Sequence, residues 1–486
     1  MEDRDETKLG KGNLTVVDVV AQSVGFIGPV GSAAFFIPVI AGLSATGQGA
    51  GVATPLSILL AGIGLLGVAW IISRFAKRVR GAGGLYDYVA DGFGERAGFL
   101  AGWVYYGGAA LLSVGASLAF GGFLSLTLST TANIDISWWV GAIGIWVVAF
   151  IVGYLGVQIS TRLQLTLALT SMAIVFLFVL YVIVKGGSDG NSLKAFNPSE
   201  PGVTGVFYGI LYSVIMFVGF ESAANLAEET ADPRRAVPRA IFGSMIIVIA
   251  FYVITAYALI AAFGFNMSQF LSGANFPPLY SAAANPEFGG HFFGELIQWV
   301  VVVDLVAILL GIATSTSRGI FAMARNGRLP RILAHVHPRF KTPDIATGVL
   351  AIGAVALVIV VNITDGLVLT NPKTDPGTWF GAFQWAAAFA ALCFVLVYIA
   401  VSLTGFRGLP GENQVGLAIA GIVGCAVSLA AIYGIVKDAP PLYALNKVWW
   451  EVAIWAVLGG LLTVWYASRG AFGGAADARR ERSTAI

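Results

Sequence analysis

The chain has 486 residues, of which 57% are hydrophobic and only 11% charged, with a formal net charge of +2. Soluble domains carry about 25% charged residues, so the composition excludes an ordinary soluble protein and indicates one that crosses a bilayer repeatedly. The two cysteines, Cys393 and Cys425, fall inside apolar runs and read as small buried hydrophobes. The histidines, His291, His335 and His337, lie at segment ends or in loops without the spacing of a zinc or haem site. No metal ligands or cofactor are expected.

A polar start, Met1 to Gly12, precedes an apolar run too long for the core of a cleavable leader. Apolar windows long enough to span lipid then follow at about 16–43, 52–73, 97–128, 137–156, 162–184, 203–227, 238–264, 293–317, 344–363, 378–404, 414–436 and 447–467. Charge tests that count. If the N-terminus is cytoplasmic, 23 of the 28 Lys and Arg residues fall on the cytoplasmic side, as the positive-inside rule requires. A missed or spurious helix would scramble every later loop. Twelve helices that cross a cytoplasmic (inner) membrane, with both termini on its cytoplasmic side, are therefore predicted, and the basic loops need no nucleic-acid partner. The eighth segment runs on through Phe321 to Pro330, where a short cytoplasmic helix ending near Gly327 is expected. The longest outer loop, about 265–292, holds Phe276-Pro-Pro-Leu-Tyr280 and is either a cap over a vestibule or a connector.

The first segment carries Gly25, Gly28, Pro29, Gly31 and Pro38, residues that weaken or break a helix. Unmet backbone groups in lipid cost several kcal/mol, so the segment is either a kinked packing helix or a site where freed N–H and C=O groups face a solute. The sixth segment repeats the anomaly, with Gly219, Glu221, Ser222 and Asn225 inside an apolar run. A charge at that depth is expensive. Glu221 therefore meets a partner helix, titrates, or contacts substrate. Asp304, midway through the eighth segment, is a second such acid, either lining a pathway or holding a structural partner. Segments 1 and 6 correspond if helices 1–5 and 6–10 are two halves, and five is odd, so the halves insert with opposite topology. Paired breaks in inverted halves are the best sequence pointer to a transporter's midplane site. Free N–H groups suit an anion and unwound carbonyls an ammonium group, which together suit a zwitterion. Gly62-Ile-Gly64-Leu-Leu-Gly67 fits a dinucleotide pattern, but within a membrane helix it reads as small-residue packing.

Ordered motifs then carry a resemblance. Gly31-Ser32-Ala33-Ala34-Phe35-Phe36-Ile37-Pro38 resembles the first-helix motif of the amino acid–polyamine–organocation superfamily. Phe217-Val-Gly219-Phe-Glu221, with Glu228-Glu229 and Asp232-Pro-Arg-Arg235, resembles its sixth-helix signature. Gly83-Gly84-Leu-Tyr86, Gly98 to Trp103 and Ala324 to Pro330 match further landmarks. The resemblance implies an all-α membrane fold of twelve transmembrane helices, a leucine-transporter-like 5+5 inverted repeat with two added C-terminal helices. It divides the chain into tails 1–15 and 468–486, repeats 16–200 and 201–405, and added helices within 406–467. It implies that Gly31, Ser32 and Ala33 bind a substrate carboxylate, with a further carbonyl from Pro29. Carbonyls near Ile215 and Val218, beside Gly219, would hold the amine. Phe217 and Phe220 would form an aromatic gate or pack on neighbours, and Glu221 would couple charge to opening. Two departures stand out: Ala33 replaces a motif glycine, and the fifth segment lacks the lysine of some proton-coupled members, with Thr170 and Ser171 near that position.

The sequence thus predicts a secondary transporter, not an enzyme, that moves a small amine-bearing solute, foremost an L-amino acid, by alternating access. Helices 1, 2, 6 and 7 would rock against helices 3, 4, 8 and 9. The coupling ion is H+ or Na+, with Glu221 and Asp304 as coupling or gating candidates. Polyamine import or amino acid/amine exchange is the second reading, and a solute-gated sensor or channel a remote third.

Overall fold

A computed structural model describes residues 9–10, 12–43, 47–272, 277–364, 378–437, 448–469 and 472. Phe276 and most of both tails lie outside these residues. Among the described residues, twelve helices are long and apolar enough to cross a membrane: α1 Val16–Ala41, α2 Gly51–Ala76, α3 Glu95–Ala132, α4 Trp138–Leu155, α5 Val157–Lys185 and α6 Gly202–Glu229, then α7 Pro233–Ala262, α8 His291–Arg325, α9 Asp344–Ile363, α10 Thr378–Arg407, α11 Gln414–Val436 and α12 Val448–Ser468. They coincide with the twelve predicted windows to within a few residues at most ends.

The order of burial explains the architecture. In its apolar window α1 is 89% buried and α12 only 17%, so α1 runs through the centre and α12 lies at the rim. Ile454, Leu461 and Trp465 of α12, with Ile419 and Ile422 of α11, are exposed, as expected of side chains that face lipid. The main core packs α1 against α5, α7 and α8, α3 against α8 and α10, and α2 against α7 and α11. The glycines of α2 serve that packing. A Cβ at Gly67 would lie 3.1 Å from the Ala420 carbonyl of α11, and one at Gly62 would press on Ile249 of α7 at 2.6 Å.

One connection differs from the expected pattern. The stretch from Phe321 to Arg325 is no separate helix: α8 runs unbroken for 35 residues to Arg325, and the chain turns at Gly327 with φ 73°. The loop after α7 folds into short helices Met267–Phe270 and Pro278–Ala284, the second packed against α8 and α1. On the basic face, residues Gly81 to Gly84 lead into a nine-residue helix, Leu85–Phe93, whose Tyr86 and Tyr88 are buried.

Candidate functional site

Both suspect spans are interrupted. In α1, Gly28 adopts a left-handed conformation (φ 55°) that ends the half Val16–Ile27 and begins the half Pro29–Ala41. Pro29 takes the first position of the new half, where its missing N–H is no loss. A Cβ at Gly28 would overlap Ile308 of α8, so the close approach needs glycine as much as the φ does. In α6 the α-helix ends at Met216, Gly219 turns with φ 113°, and Phe220–Glu229 resumes as a tighter 3-10 helix. Side chains meet some of the freed backbone groups, as lipid-embedded chains require. The Tyr252 hydroxyl of α7 donates to the Met216 carbonyl at 3.0 Å, and Ser23 Oγ donates to the Phe220 carbonyl at 2.8 Å.

Each break also holds a buried carboxylate. Glu221 Oε1 accepts from the Tyr105 hydroxyl of α3 at 2.7 Å, and its Oε2 accepts the Gly219 N–H at 3.1 Å. Asp304 Oδ2, from α8, accepts the Gly31 N–H at 2.8 Å. Asp304 Oδ1 is buried with no hydrogen-bond partner among the described residues. Both acids have no solvent exposure, and among the described residues neither forms an ion pair.

Between the breaks lies a cavity of about 60 Å³. Of the residues singled out from the sequence, Gly31, Ser32, Ile215 and Val218 line it. Ser32 Oγ donates to the Ile27 carbonyl at 2.7 Å, and the Ile215 carbonyl accepts the Val218 N–H at 3.3 Å. Pro29, Ala33, Phe217, Gly219, Phe220, Glu221 and Asp304 are not among the lining residues. Phe217 and Phe220 are fully buried, with ring centroids 5.4 Å from Tyr252 and 5.7 Å from Tyr398, which is the packing alternative. The rings that face the cavity are instead Phe26, Phe35 and Phe36 of α1 with Phe383 and Phe394 of α10. Phe35 sits 5.6 Å from Phe383 at one end, and Phe26 sits 6.4 Å from Phe394 at the other. Among the described residues, no charged side chain belongs to the lining.

A polar layer closes the way from this cavity to the basic face. Glu229 pairs with Arg318 of α8, with side chains 2% and 4% exposed, and Glu228 pairs with Arg325 one step further out. Arg318 Nη2 reaches Glu229 Oε1 at 3.2 Å, and Arg318 Nη1 donates to the Thr314 carbonyl at 3.2 Å. Leu14, just before α1, donates its N–H to the Glu229 carbonyl at 3.0 Å and forms a parallel bridge with Thr230. Asn225 joins three elements, donating to the Ala82 carbonyl at 2.8 Å and the Tyr106 hydroxyl at 2.6 Å and accepting from Ser315 at 2.8 Å. In the sequence Arg318 reads as a topology charge, and Arg325 as a topology charge and part of the Ala324 to Pro330 landmark. Their separation of seven residues, two helical turns, puts both on one face of α8. That spacing, set against the adjacent Glu228 and Glu229, was the available signal.

Comparison with known proteins agrees with this geometry. A family profile described as amino acid permease matches residues 14–460. The chain is 30% identical over 297 residues to a serine/threonine exchanger of Bacillus subtilis, covering 59% of this chain and 64% of that protein. It is 28% identical to the branched-chain amino acid permease of the same organism, covering 62% and 67%. An uncharacterized transporter of Mycobacterium tuberculosis is 28% identical, covering 74% of each chain. Among solved structures, a manganese transporter of Eremococcus coleocola superimposes with a TM-score of 0.54 at 15% identity, covering 97% of both chains. A Na+-coupled sialic acid symporter gives 0.53 at 13% identity, covering 88% of this chain and 90% of the other. The fold is thus the leucine-transporter-like inverted repeat with two added helices. The chain belongs to the amino acid permease family of the amino acid–polyamine–organocation superfamily and is a membrane transporter rather than an enzyme.

Proposed function

We propose that the chain carries a small neutral L-amino acid across the cytoplasmic membrane by alternating access, as uptake driven by a proton or sodium gradient, with both termini on the cytoplasmic side. The observation that carries this reading is the cavity bordered by both helix breaks, with Gly31 and Ser32 on one side and Ile215 and Val218 on the other. Its volume of about 60 Å³ is room for only about two waters at ~30 Å³ each, which favours a small solute such as L-alanine or L-serine over a bulky one. A lining without charged side chains disfavours solutes with a charged side chain, because a buried charge needs a partner. The names of the serine/threonine exchanger and the branched-chain permease support the same class. Release to the basic face would require α6 and α1 to move away from α8, breaking the Glu229–Arg318 and Glu228–Arg325 pairs.

The test is counterflow into proteoliposomes loaded with each amino acid or with diamines, with and without sodium and a pH gradient. Small neutral amino acids are expected to exchange fastest. Exchange of diamines alone would overturn the amino acid reading.

A further inference from the structure

The chain itself occupies the anion seat at the start of the second half of α1. Pro29 has no N–H to offer, and the Ser32 N–H is committed to the Gly28 carbonyl at 2.9 Å. The Ser32 hydroxyl is committed to the Ile27 carbonyl at 2.7 Å. The Gly31 N–H donates to Asp304 Oδ2 at 2.8 Å, and the Val30 N–H faces the same carboxylate. Asp304 is fully buried, its second oxygen has no hydrogen-bond partner, and no cation pairs with it among the described residues. Its neighbours along α8, Leu305 and Ile308, line the cavity together with Gly31 and Ser32. A carboxylate therefore sits at the cavity's edge on the donor that a solute carboxylate would need.

We infer that Asp304 is an internal stand-in for the solute's carboxylate, and that an amino acid takes the seat only while Asp304 carries a proton, so that solute and proton bind together. This inference rests on the amino acid reading above. Two carboxylates sharing one site of low dielectric cannot both be ionised. A protonated Asp304 gives up its claim on the Gly31 N–H and can donate its own O–H to the incoming carboxylate. The proton is taken from water on the side to which the site is open and returned to water on the other.

The surrounding groups offer no rival countercharge. On α8 the other titratable or charged groups, His291, Glu295, Arg318 and Arg325, lie nine or more residues away, roughly 13 Å or more at about 1.5 Å per residue. On α7, Tyr252 faces Asp304 with its hydroxyl donated to the Met216 carbonyl. On α6, Glu221 is held by Tyr105 of α3 and by the Gly219 N–H, and Tyr106 of α3 donates to the Gly83 carbonyl. Arg162 and Lys185 of α5 are exposed near its ends. Tyr154 near the end of α4 is bonded to His337, and Asp344 at the start of α9 to His335. Asp18 of α1 closes its capping box with Thr15.

The experiment uses the full chain in weakly buffered detergent solution, with L-alanine as the probe and a pH dye reporting proton uptake. Binding affinity is measured across a pH series for the wild type and for Asp304→Asn. At the alkaline end of the series, where free Asp304 is ionised, one proton per L-alanine is expected, with wild-type affinity falling about tenfold per pH unit there and no pH dependence in the variant. Binding of L-alanine without proton uptake at that alkaline end would overturn the inference, as would wild-type pH dependence retained in Asp304→Asn. The wild-type proton count decides the matter even where the variant does not fold. If neither L-alanine nor any other amino acid binds the wild type, the amino acid reading falls and this inference with it.

Discussion

Replacing Glu229 by Gln would leave the Arg318 guanidinium buried without its countercharge. The pair is nearly dry, at 4% and 2% exposure, and one of its contacts is 3.2 Å. At that distance and an effective dielectric of about 20, the Coulomb attraction is about 5 kcal/mol. Removing one partner of such a pair costs about 3–5 kcal/mol. The pair joins α6 to α8, so the cost falls on the state closed toward the basic face, while a state open there would hydrate Arg318. At about 1.4 kcal/mol per tenfold, the open population should rise by roughly two to three and a half decades. The assay is modification of Ser222→Cys by a membrane-impermeant maleimide from the basic face, in a chain with Cys393 and Cys425 replaced by Ala. Ser222 is fully buried, its hydroxyl donated to the Gln22 carbonyl at 3.2 Å, so labelling reports opening. Adding Arg318→Met removes the stranded charge and should restore much of the protection. Unchanged labelling in Glu229→Gln would refute the closing role of the pair, and equal labelling in the single and double variants would refute the stranded-charge argument.

Other substitutions probe the site from different sides. Gly28→Ala forces both a strained φ and an overlap with Ile308; it should abolish exchange, and Ile308→Ala should recover part of it, as read by counterflow. Tyr105→Phe removes the 2.7 Å hydrogen bond to Glu221 and should lower stability by about 1–3 kcal/mol, measured by denaturant titration in detergent. Ala390→Leu should fill the cavity and abolish L-alanine binding with little change in melting temperature. Phe36→Ala, which removes a lining ring, should admit bulkier amino acids such as leucine in the same counterflow panel.

The spans were legible because each is an apolar run fenced by charges, and a single miscount would have inverted the basic loops. The break at Gly28-Pro29 was legible because those residues disfavour continuous helix. Which rings face the cavity was not, because Gly219 at φ 113° re-aims the chain after it, and side-chain direction beyond such a turn does not follow the helical period. Phe220 therefore meets Tyr398, while Phe383 and Phe394, in a run read only as a tenth helix, line the cavity. The pairing of Asp304 with Gly31 spans 273 positions of sequence. The sequence marked the acid as expensive at its depth, but only the packing of α8 on α1 names its partner. The two glutamate–arginine pairs were hidden for a similar reason, since the positive-inside rule already explained both arginines.

Direct imaging of the bound solute bears hardest on the proposal that two unwound spans grip it between them. A map of the protein in lipid nanodiscs with saturating L-alanine should place the ligand against Gly31 and Ser32 on one side and Ile215 and Val218 on the other. A ligand seated elsewhere, with those four residues touching only protein, would contradict it.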